Sequence, residues 1–337
     1  MRKILVLSYD PDKPSFRYRL APLLAELETR QWQVQVDTLP TKQYALRIWR
    51  RAPTLRNANV VLLHKLRLHP VEMRWVARYN SRTIFDIDDA TWLSQPKHNA
   101  TPMVSPSRER AFRGMCRYST LTIAGNSILA DKARTAGAHV QIIPTAVQVS
   151  AYADADFAAR NGGNVVWIGL PGNLQYLEPL HGVFAELART FPTFRLRIVS
   201  SHFPDWRDVP IERVTWRPGI ETESLLSADI GLMPLQDDEF TRGKCAFKLL
   251  QYMAASLPCV ASPVGVNCDV ISNGHTGYLA TSPQEWLASL TQLLADQTLR
   301  ENMGRAGRAR VQQHYDLQTI IPRAANLVES LVEPNTY

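Results

Sequence analysis

The stretch RGKCAFKLLQYMAASLPCVASPVGVN, residues 242–267, has the pattern of a helix, a buried strand and a glycine turn in direct succession. Ala246, Leu250, Met253 and Leu257 are spaced like the apolar stripe of an amphipathic helix. The short apolar run that follows is typical of a strand that is buried on both faces of a parallel sheet. This order of elements predicts an α/β fold.

The opposite side of this predicted helix is polar. Lys244, Lys248 and Gln251 are separated by four and three residues, which places them along one face of a helix that starts near Gly243. The first turn of a helix favours an anion, because its N–H groups are unpaired and it carries the positive end of the helix dipole. These residues therefore predict a phosphate site at Lys244 and Lys248, with Gln251 one turn further to meet a sugar hydroxyl. A solvated helix face is the alternative interpretation.

Short apolar runs alternate with longer amphipathic segments along the whole chain, which is the pattern of parallel strands joined by crossover helices. Residues 147–163 are polar and rich in alanine and glycine, as in a linker. We expect a domain of residues 1–150, a second domain of residues 151–316, and a C-terminal helix in residues 317–337 that packs back toward the first domain. Because ligands bind beyond the carboxyl ends of parallel strands, the site is expected in a cleft between two doubly wound sheets.

The charge of the chain is unevenly distributed. Residues 1–150 contain 23 lysines and arginines against 11 aspartates and glutamates, a net charge of +12, whereas residues 151–337 contain 15 against 20, a net charge of −5. A basic half predicts an anionic partner, and nucleic acid, an acidic membrane surface and a phosphate-bearing acceptor all satisfy this. A basic surface that only faces solvent is the alternative.

The composition excludes several classes of protein. With 45% hydrophobic and 20% charged residues, the chain of 337 residues is typical of a globular protein. No apolar run reaches the ~20 residues that span a bilayer. The N-terminal segment MRKILVLSYD is expected to be a strand rather than a leader peptide. The four cysteines form no CxxC pair and predict neither a disulfide framework nor a zinc site, so a cytoplasmic protein is expected.

The C-terminal half resembles a known family. KLLQYMAASLPCVASPVGVNCDVISNGHTGYLA, residues 248–280, is similar to the donor-binding segment of the retaining GT-B glycosyltransferases that include glycogen synthases and phosphatidylinositol mannosyltransferases. Gln251 and Gly243 stand where that family usually has two glutamates, and Ser256 stands where it usually has glycine. VVWIGLPGNLQYL, residues 165–177, resembles the first strand and the glycine loop of the family's second domain.

This resemblance implies a GT-B fold, with two Rossmann-like parallel-sheet domains that face a cleft, the first for the acceptor and the second for a nucleoside-diphosphate sugar. It implies transfer with retention, no metal ion and no cofactor beyond that donor. It also implies that Lys248, with Lys244, stabilises the leaving diphosphate, which itself takes the acceptor's proton. Gln251 would contact the ribose. Its amide has one acceptor oxygen, whereas the carboxylate of the usual glutamate has two. The donor-binding residues that it implies are Gly169, Asn173, Lys244, Lys248, Gln251, Gly265, Val266 and Asn267.

The stretch TIFDIDDATW, residues 83–92, carries the first candidates for the acceptor site. Asp86, Asp88 and Asp89 follow the end of a predicted strand, where their carboxylates would point into the cleft. We expect Asp88 to position the acceptor hydroxyl for catalysis, with Asp86 beside it. Binding of a metal ion through the D-x-D pair and helix capping are the alternative interpretations.

Residues 8–27, after the first predicted strand, lack the GxGxxG turn that a dinucleotide-binding oxidoreductase has at this point. Arg17 and Arg19 bracket Tyr18 before an amphipathic helix. Their guanidinium groups suit an anionic acceptor or donor phosphates across the cleft, so all three residues are expected in the acceptor site. A surface ion pair is the alternative for either arginine.

Residues 41–56, TKQYALRIWRRAPTLR, interleave basic side chains with Tyr44, Leu46, Ile48 and Trp49. Such a segment suits docking on an anionic membrane, and burial of Tyr44, Ile48 and Trp49 in a core helix is the alternative. We therefore expect transfer of a sugar to a glycan or lipid-linked acceptor, at the inner face of the cytoplasmic membrane if the segment docks there. A nucleic-acid-binding protein is the second hypothesis, although no recognisable binding module supports it and no nucleic-acid partner is expected.

Overall fold

The computed structural model describes residues 1–42, 44, 46–94, 103–153, 157, 160 and 162–333. Within these residues the strands form two parallel sheets of six strands each, and helices cover both faces of each sheet. The predicted α/β architecture with one sheet in each half is therefore confirmed. Part of the predicted linker, including residues 154–156, lies outside the described residues.

The N-terminal sheet is built around its first strand. Leu5 and Leu7 of that strand enter one apolar layer while Ile4 and Val6 enter the other, as the two-residue period of a strand requires. The strands are Lys3–Ser8 (β1), Gln33–Thr38 (β2), Val60–His64 (β3), Thr83–Ile87 (β4), Leu121–Ala124 (β5) and Val140–Ile142 (β6), in the spatial order β2-β1-β3-β4-β5-β6. The helices are Ala21–Thr29 (α1), Leu46–Trp49 (α2), Ala52–Asn57 (α3), Pro70–Tyr79 (α4), Pro106–Tyr118 (α5) and Ser127–Thr135 (α6), and a π-helical turn, Phe16–Leu20, precedes α1.

The C-terminal sheet repeats this plan. Val166 and Ile168 pack on one side of its first strand, and Val165 and Trp167 pack on the other. The strands are Asn164–Ile168 (β7), Arg195–Ser200 (β8), Ile211–Thr215 (β9), Ile230–Met233 (β10), Cys259–Ala261 (β11) and Gly277–Leu279 (β12), in the spatial order β12-β11-β10-β7-β8-β9. The helices are His181–Thr190 (α7), Ile220–Leu226 (α8), Glu239–Arg242 (α9), Phe247–Ala254 (α10), Asn267–Val270 (α11), Pro283–Ala295 (α12), Gln297–His314 (α13) and Leu317–Ser330 (α14).

Both sheets reverse their strand order once, between β1 and β3 in the first and between β7 and β10 in the second. At such a reversal the connections leave in opposite directions, and a crevice opens beyond the carboxyl ends of the two strands. His64 ends β3, and Gly169 follows β7 directly. The topology thus places the functional surface of each domain at these two positions.

The last helix, α14, returns to the N-terminal domain after the second sheet is complete. Ile320, Ala324 and Val328 of α14 are buried in the same apolar layer as Leu24 of α1. An ion pair of 2.8 Å joins Arg30 Nη1 to a carboxylate oxygen of Glu329 at the end of this helix. Among the described residues, no helix has both the length and the apolar character that are needed to cross a bilayer.

The helix that the sequence predicted near Gly243 begins later. α10 starts at Phe247, because Ala246 adopts a left-handed conformation with φ 52° and ψ 23°, which interrupts any continuous helix from Gly243. Asp238 caps the short helix α9 just before, through the backbone N–H of Thr241 at 2.8 Å. Lys244 therefore lies in the loop of residues 243–246 between α9 and α10, and shares no continuous helix with the two polar residues on α10.

Candidate active site

A cavity of about 490 Å³ lies between the carboxyl ends of the two sheets. Ser15, Tyr18 and Asp88 line it from the N-terminal domain. Its volume lies within the range of roughly 300–1,000 Å³ that is usual for small-molecule sites. The residues that line it from the C-terminal domain include Gly169, Asn173, Tyr176, Lys244, Lys248 and Gln251.

The C-terminal wall of the cavity carries two lysines. The ammonium of Lys248 lies 4.6 Å from the centre of the Trp167 ring, and that of Lys244 lies 5.0 Å from the centre of the Phe240 ring. Among the described residues, neither lysine has a carboxylate partner within ion-pair distance. Burial, with the neighbouring charge of Lys244, lowers the pKa of Lys248 to about 7. The absence of a carboxylate partner leaves both lysines available to an anion, and a bound anion would raise the pKa of Lys248 again.

Gly169 leaves the space that the Lys248 side chain occupies. A Cβ atom at this position would lie 2.3 Å from the Trp167 ring and 2.9 Å from Lys248 Nζ. Any larger residue would therefore displace the lysine or the indole ring. The predicted donor-site residue Gly169 acts in this structure by its lack of a side chain.

Gln251 lies on α10, one turn beyond Lys248, and also lines the cavity. It is 6% exposed, and its Nε2 donates to the hydroxyl of Tyr152 at 3.4 Å. Tyr152 comes from the segment between the two domains, and burial raises its pKa to about 12. The phenol thus stays neutral and fixes the orientation of the glutamine amide.

Two polar groups on the same wall lack partners within the described part of the chain. The Oδ1 of Asn173 and the hydroxyl of Tyr176 are buried and accept or donate no hydrogen bond there. Leaving a buried polar group unsatisfied costs roughly 1–3 kcal/mol. Hydroxyl groups of a bound ligand would satisfy both. The sequence indicated Asn173 but gave no reason to single out Tyr176.

The turn after β11 lies away from the cavity. Gly265 has φ +53°, and a Cβ atom there would lie 2.6 Å from the carbonyl oxygen of Arg242. The side-chain Nδ2 of Asn267 donates to Ser262 O at 2.9 Å. The Val266 side chain is buried as well, with 9% of its surface exposed. The structure therefore does not bring Gly265, Val266 and Asn267 to the cavity, and this turn instead supports the end of α9.

The N-terminal wall contains a buried ion-pair cluster below its surface. Arg19 Nε and Nη2 lie 2.9 Å and 2.8 Å from Asp86 Oδ1, and His64 Nδ1 lies 2.8 Å from Asp86 Oδ2. Burial alone would raise the pKa of Asp86, but Arg19 and His64 outweigh it and hold that pKa below its usual value. Arg19 and Asp86 are 6% and 3% exposed, and neither lines the cavity. Their expected contact with the acceptor stays a prediction, and in this structure the two side chains are paired with each other below the cavity surface.

Asp88 is the carboxylate of this cluster that reaches the cavity. Ser15 Oγ donates to Asp88 Oδ2 at 2.5 Å and lies 3.0 Å from His64 Nε2, while Lys65 Nζ lies 2.8 Å from Asp88 Oδ1. Lys65 also pairs with Asp89. Burial raises the pKa of Asp88, but Lys65 and His64 overcome this and hold the pKa well below its usual range. Asp88 is therefore a fixed anion at the cavity surface.

Three side chains of this cluster were not singled out from the sequence, namely Ser15, His64 and Lys65. His64 is paired with Asp86 across β3 and β4 and ends its strand, so the residues that follow the two strands lie side by side. The ends of the neighbouring strands β3 and β4 both carry charged or polar residues in the sequence. This pattern could have identified His64 and Lys65. Ser15 lies in the turn after β1 and carried no comparable signal.

Arg17 and Tyr18 connect the two domains across one edge of the cavity. The Tyr18 hydroxyl donates to Glu221 Oε1 at 3.1 Å, and its ring lies 4.5 Å from that of Phe247. Trp216 Nε1 donates to the same carboxylate oxygen at 2.7 Å, and Arg17 lies over the Trp216 ring at 5.3 Å. Both predicted residues therefore reach the cavity, but they pack against the second domain as well as facing a ligand.

Comparison with protein families gives one match. Residues 164–296 match the family described as Glycosyl transferases group 1. A curated relative, N-acetyl-alpha-D-glucosaminyl L-malate synthase of Bacillus anthracis, is 32% identical over 101 residues, which are 29% of this chain and 25% of that protein. The chain thus aligns with only a quarter of the length of that relative.

Solved structures match the whole chain in fold. Sucrose-phosphate synthase from Thermosynechococcus elongatus is 13% identical with a TM-score of 0.73, and the match covers 98% of this chain and 99% of that one. Anabaena Alr3699/HepE in complex with UDP-glucose is 16% identical with a TM-score of 0.70, over 98% and 100% of the two chains. TarM of S. aureus, in complex with UDP, is 12% identical with a TM-score of 0.64, over 83% and 58%. The predicted fold of two facing Rossmann-like domains is confirmed.

Proposed function

We propose that the protein transfers a sugar from a uridine-diphosphate sugar, because residues 164–296 match the glycosyl transferases group 1 family and the chain has the GT-B fold. The observation that carries this proposal is the pair of lysines Lys244 and Lys248, which have no carboxylate partner in the part of the chain that the structure describes and line the same interdomain cavity as Asp88. UDP is the proposed nucleotide because Anabaena HepE is described in complex with UDP and with UDP-glucose.

The two lysines bind the diphosphate of the donor in this proposal. As the glycosidic bond breaks, negative charge develops on the distal phosphate, and a cation fixed beside it stabilises that charge. The ammonium of Lys248 lies beside Trp167 and Gly169 on the cavity wall. Lys244 is carried by the loop before α10 and completes the cationic wall.

The sugar and ribose hydroxyls of the donor have polar partners on the same wall. Asn173 Oδ1 and the Tyr176 hydroxyl are the buried groups that a ligand hydroxyl would satisfy. Gln251 contacts the ribose and accepts one hydrogen bond through its amide oxygen, while Tyr152 holds the amide nitrogen. A ligand that supplies both a diphosphate and several hydroxyls matches this wall better than a polynucleotide.

Transfer with retention is supported by the state of Asp88. An inverting enzyme needs a base that removes the acceptor proton, and a carboxylate whose pKa is lowered by Lys65 is a weak base. Asp88 is suited to accept a hydrogen bond and so to orient the acceptor hydroxyl. The proton then passes to the leaving diphosphate on the same face of the sugar, which gives retention. The anomeric configuration of the product, determined by NMR, tests this step.

We further propose that the acceptor is a glycan. In this proposal the glycan is carried on a lipid at an anionic membrane. Tyr44, Leu46 and Trp49 are 68%, 41% and 60% exposed, and Arg50 beside them is exposed as well. Arg47 is 1% exposed and paired with Glu72, so this arginine of the segment belongs to the core. Aromatic side chains flanked by cations suit the interface of an anionic bilayer.

Sedimentation with vesicles tests the membrane contact. Binding should require anionic lipid, should weaken with salt because exposed charges are screened over about 10 Å at 0.1 M, and should be lost in the variant Trp49→Ser with Arg50→Ser. Equal binding of the parent protein to neutral vesicles would contradict the electrostatic part of the proposal.

A thermal-shift screen tests the proposed donor. UDP should raise the midpoint of unfolding more than GDP, dTDP or a short oligonucleotide at equal concentration, because at a given concentration the ligand with the higher affinity stabilises the folded state more. The variant Lys248→Ala should show a much smaller shift with UDP. Stabilisation by oligonucleotides alone would favour the nucleic-acid hypothesis instead.

A further inference from the structure

The loop of residues 243–246, which carries Lys244, belongs to the second domain but is bound by the first. Asn126, at the end of β5, points its amide at the backbone of this loop. Its Nδ2 donates to Gly243 O at 3.2 Å and to Lys244 O at 3.1 Å, and lies 3.5 Å from Cys245 Sγ. Asn126 is 4% exposed and does not line the cavity.

A second set of contacts joins the same loop to the strand end that carries Asp88. Cys245 Sγ donates to the backbone oxygen of Asp88 at 3.3 Å. A Cβ atom on Gly125 would lie 2.4 Å from Cys245 Sγ, and one on Gly243 would lie 3.0 Å from Ala90 Cβ. The two backbones therefore approach as closely as the glycines allow.

The loop also contains features that are unfavourable in isolation. Ala246 has φ 52°, and this left-handed conformation is unfavourable for a residue other than glycine because its Cβ atom crowds the backbone. Burial lowers the pKa of Lys248, and repulsion by the nearby charge of Lys244 lowers it further. External hydrogen bonds are thus needed to keep the loop in this conformation.

We propose that Asn126 is a positioning residue for the donor, which holds the 243–246 loop so that Lys244 faces the diphosphate beside Lys248. This inference rests on the proposed function. Asn126 acts through the loop backbone and touches no substrate. Because the same loop is joined to the backbone of Asp88, the donor wall and the acceptor wall are held in one fixed relation.

A substitution can separate this role from the other role of Asn126. Its Oδ1 accepts from the N–H of Leu129 at 2.8 Å and caps α6. Serine is an equally good N-cap residue but is too short to reach the loop. Asn126→Ser should therefore keep α6 and lose the two bonds to Gly243 and Lys244. We expect roughly tenfold weaker binding of UDP, the scale of one to two lost hydrogen bonds.

Asn80 provides a matched control. It is 8% exposed, and its Nδ2 donates to Leu55 O at 2.9 Å and Ala58 O at 2.7 Å, remote from the cavity. Asn80→Ser removes the same kind of bonds from a buried asparagine. It should lower the stability of the fold by a similar amount and leave the affinity for UDP unchanged.

A double-mutant cycle with Lys244→Ala shows whether Asn126 acts through the loop. Calorimetric titration with UDP would be carried out on the parent protein, the two single variants and the double variant. If Asn126 positions Lys244, then Asn126→Ser should cost little further affinity once Lys244 is alanine. Parent-like affinity of Asn126→Ser, or an equal loss in both backgrounds, would overturn the proposal.

Amide hydrogen exchange without any nucleotide gives an independent measurement. The N–H of Lys244 donates to Thr241 O at 3.0 Å, so its exchange reports opening of the loop. It should exchange roughly tenfold faster in Asn126→Ser and at the parent rate in Asn80→Ser. If the parent protein binds no UDP, the proposed function fails, and this exchange still decides the role of Asn126. Equal exchange in the parent protein and Asn126→Ser would overturn it.

Discussion

The two walls of the cavity differ in whether their charged side chains have partners of opposite charge. On the N-terminal wall, Asp86 and Asp88 are each paired with a cation of the same domain. On the C-terminal wall, Lys244 and Lys248 have no carboxylate partner among the described residues. A paired charge fixes geometry, and loss of its partner destabilises the fold because a buried charge is left uncompensated, whereas a charge without a partner remains available to a ligand. The comparison assigns the first wall to positioning and the second to binding an anion.

Removing a paired charge should have the largest effect, and the effect should be on stability. Asp86→Asn leaves the guanidinium of Arg19 buried without its partner, so the free energy of unfolding should fall by about 3–5 kcal/mol. Denaturant titration measures this. Asp131→Asn breaks an exposed ion pair with Arg134 and should cost less than about 1 kcal/mol. Equal losses in the two variants would remove the distinction between a buried pair and a surface pair.

Removing an unpaired charge should affect activity without a loss of stability. Lys248→Ala should lower the turnover of UDP-sugar, measured as release of UDP, by roughly 10²-fold, the scale of one lost charge-stabilising group. Its free energy of unfolding should stay within about 1 kcal/mol of the parent value.

Lys65→Ala is the matched variant on the other wall. Lys65 is paired with Asp88 and Asp89, so its loss leaves two neighbouring carboxylates and should reduce stability by about 2 kcal/mol or more. If Lys248→Ala destabilised the fold as much as Lys65→Ala, Lys248 would be a structural residue.

The smallest expected effect is a dependence of UDP affinity on pH. Burial and Lys244 lower the pKa of Lys248 to about 7, and a bound diphosphate would raise it again. Below this pKa the lysine is already charged before binding, and above it a proton must be taken up. The dissociation constant should therefore rise, by up to about tenfold per pH unit, as the pH increases from about 7 to about 8.5. In Lys248→Arg, which stays charged, calorimetry should find a flatter profile, and identical profiles would contradict this explanation.

The sequence predicted the fold well because its signals are local. Alternation of apolar runs and amphipathic segments marked both sheets, and the spacing of Lys248 and Gln251 on one helix survives in the structure. The start of that helix was misplaced at Gly243, because Ala246 adopts a left-handed conformation and the loop before it is hydrogen-bonded to the other domain through Asn126. Local propensity carries no information on such a contact.

The site was only partly predictable, for a related reason. Asp88 was found because three aspartates follow one strand, but its partners Ser15 and Lys65 come from other strand ends. Charge pattern alone could not tell that Arg19 and Asp86 neutralise each other below the surface, nor that Arg47 is buried against Glu72. Pairing depends on which strands are neighbours, and the sequence gives that order only indirectly.

The difference in affinity between UDP and UMP tests most directly whether the two lysines bind a diphosphate. The two nucleotides share the base and the ribose and differ in the distal phosphate alone. Calorimetric titration should show that the parent protein prefers UDP by at least about tenfold, the scale of one charge-assisted hydrogen bond. The variant Lys244→Ala with Lys248→Ala should bind UDP and UMP with similar, weak affinity. An undiminished preference for UDP in that variant would contradict the account.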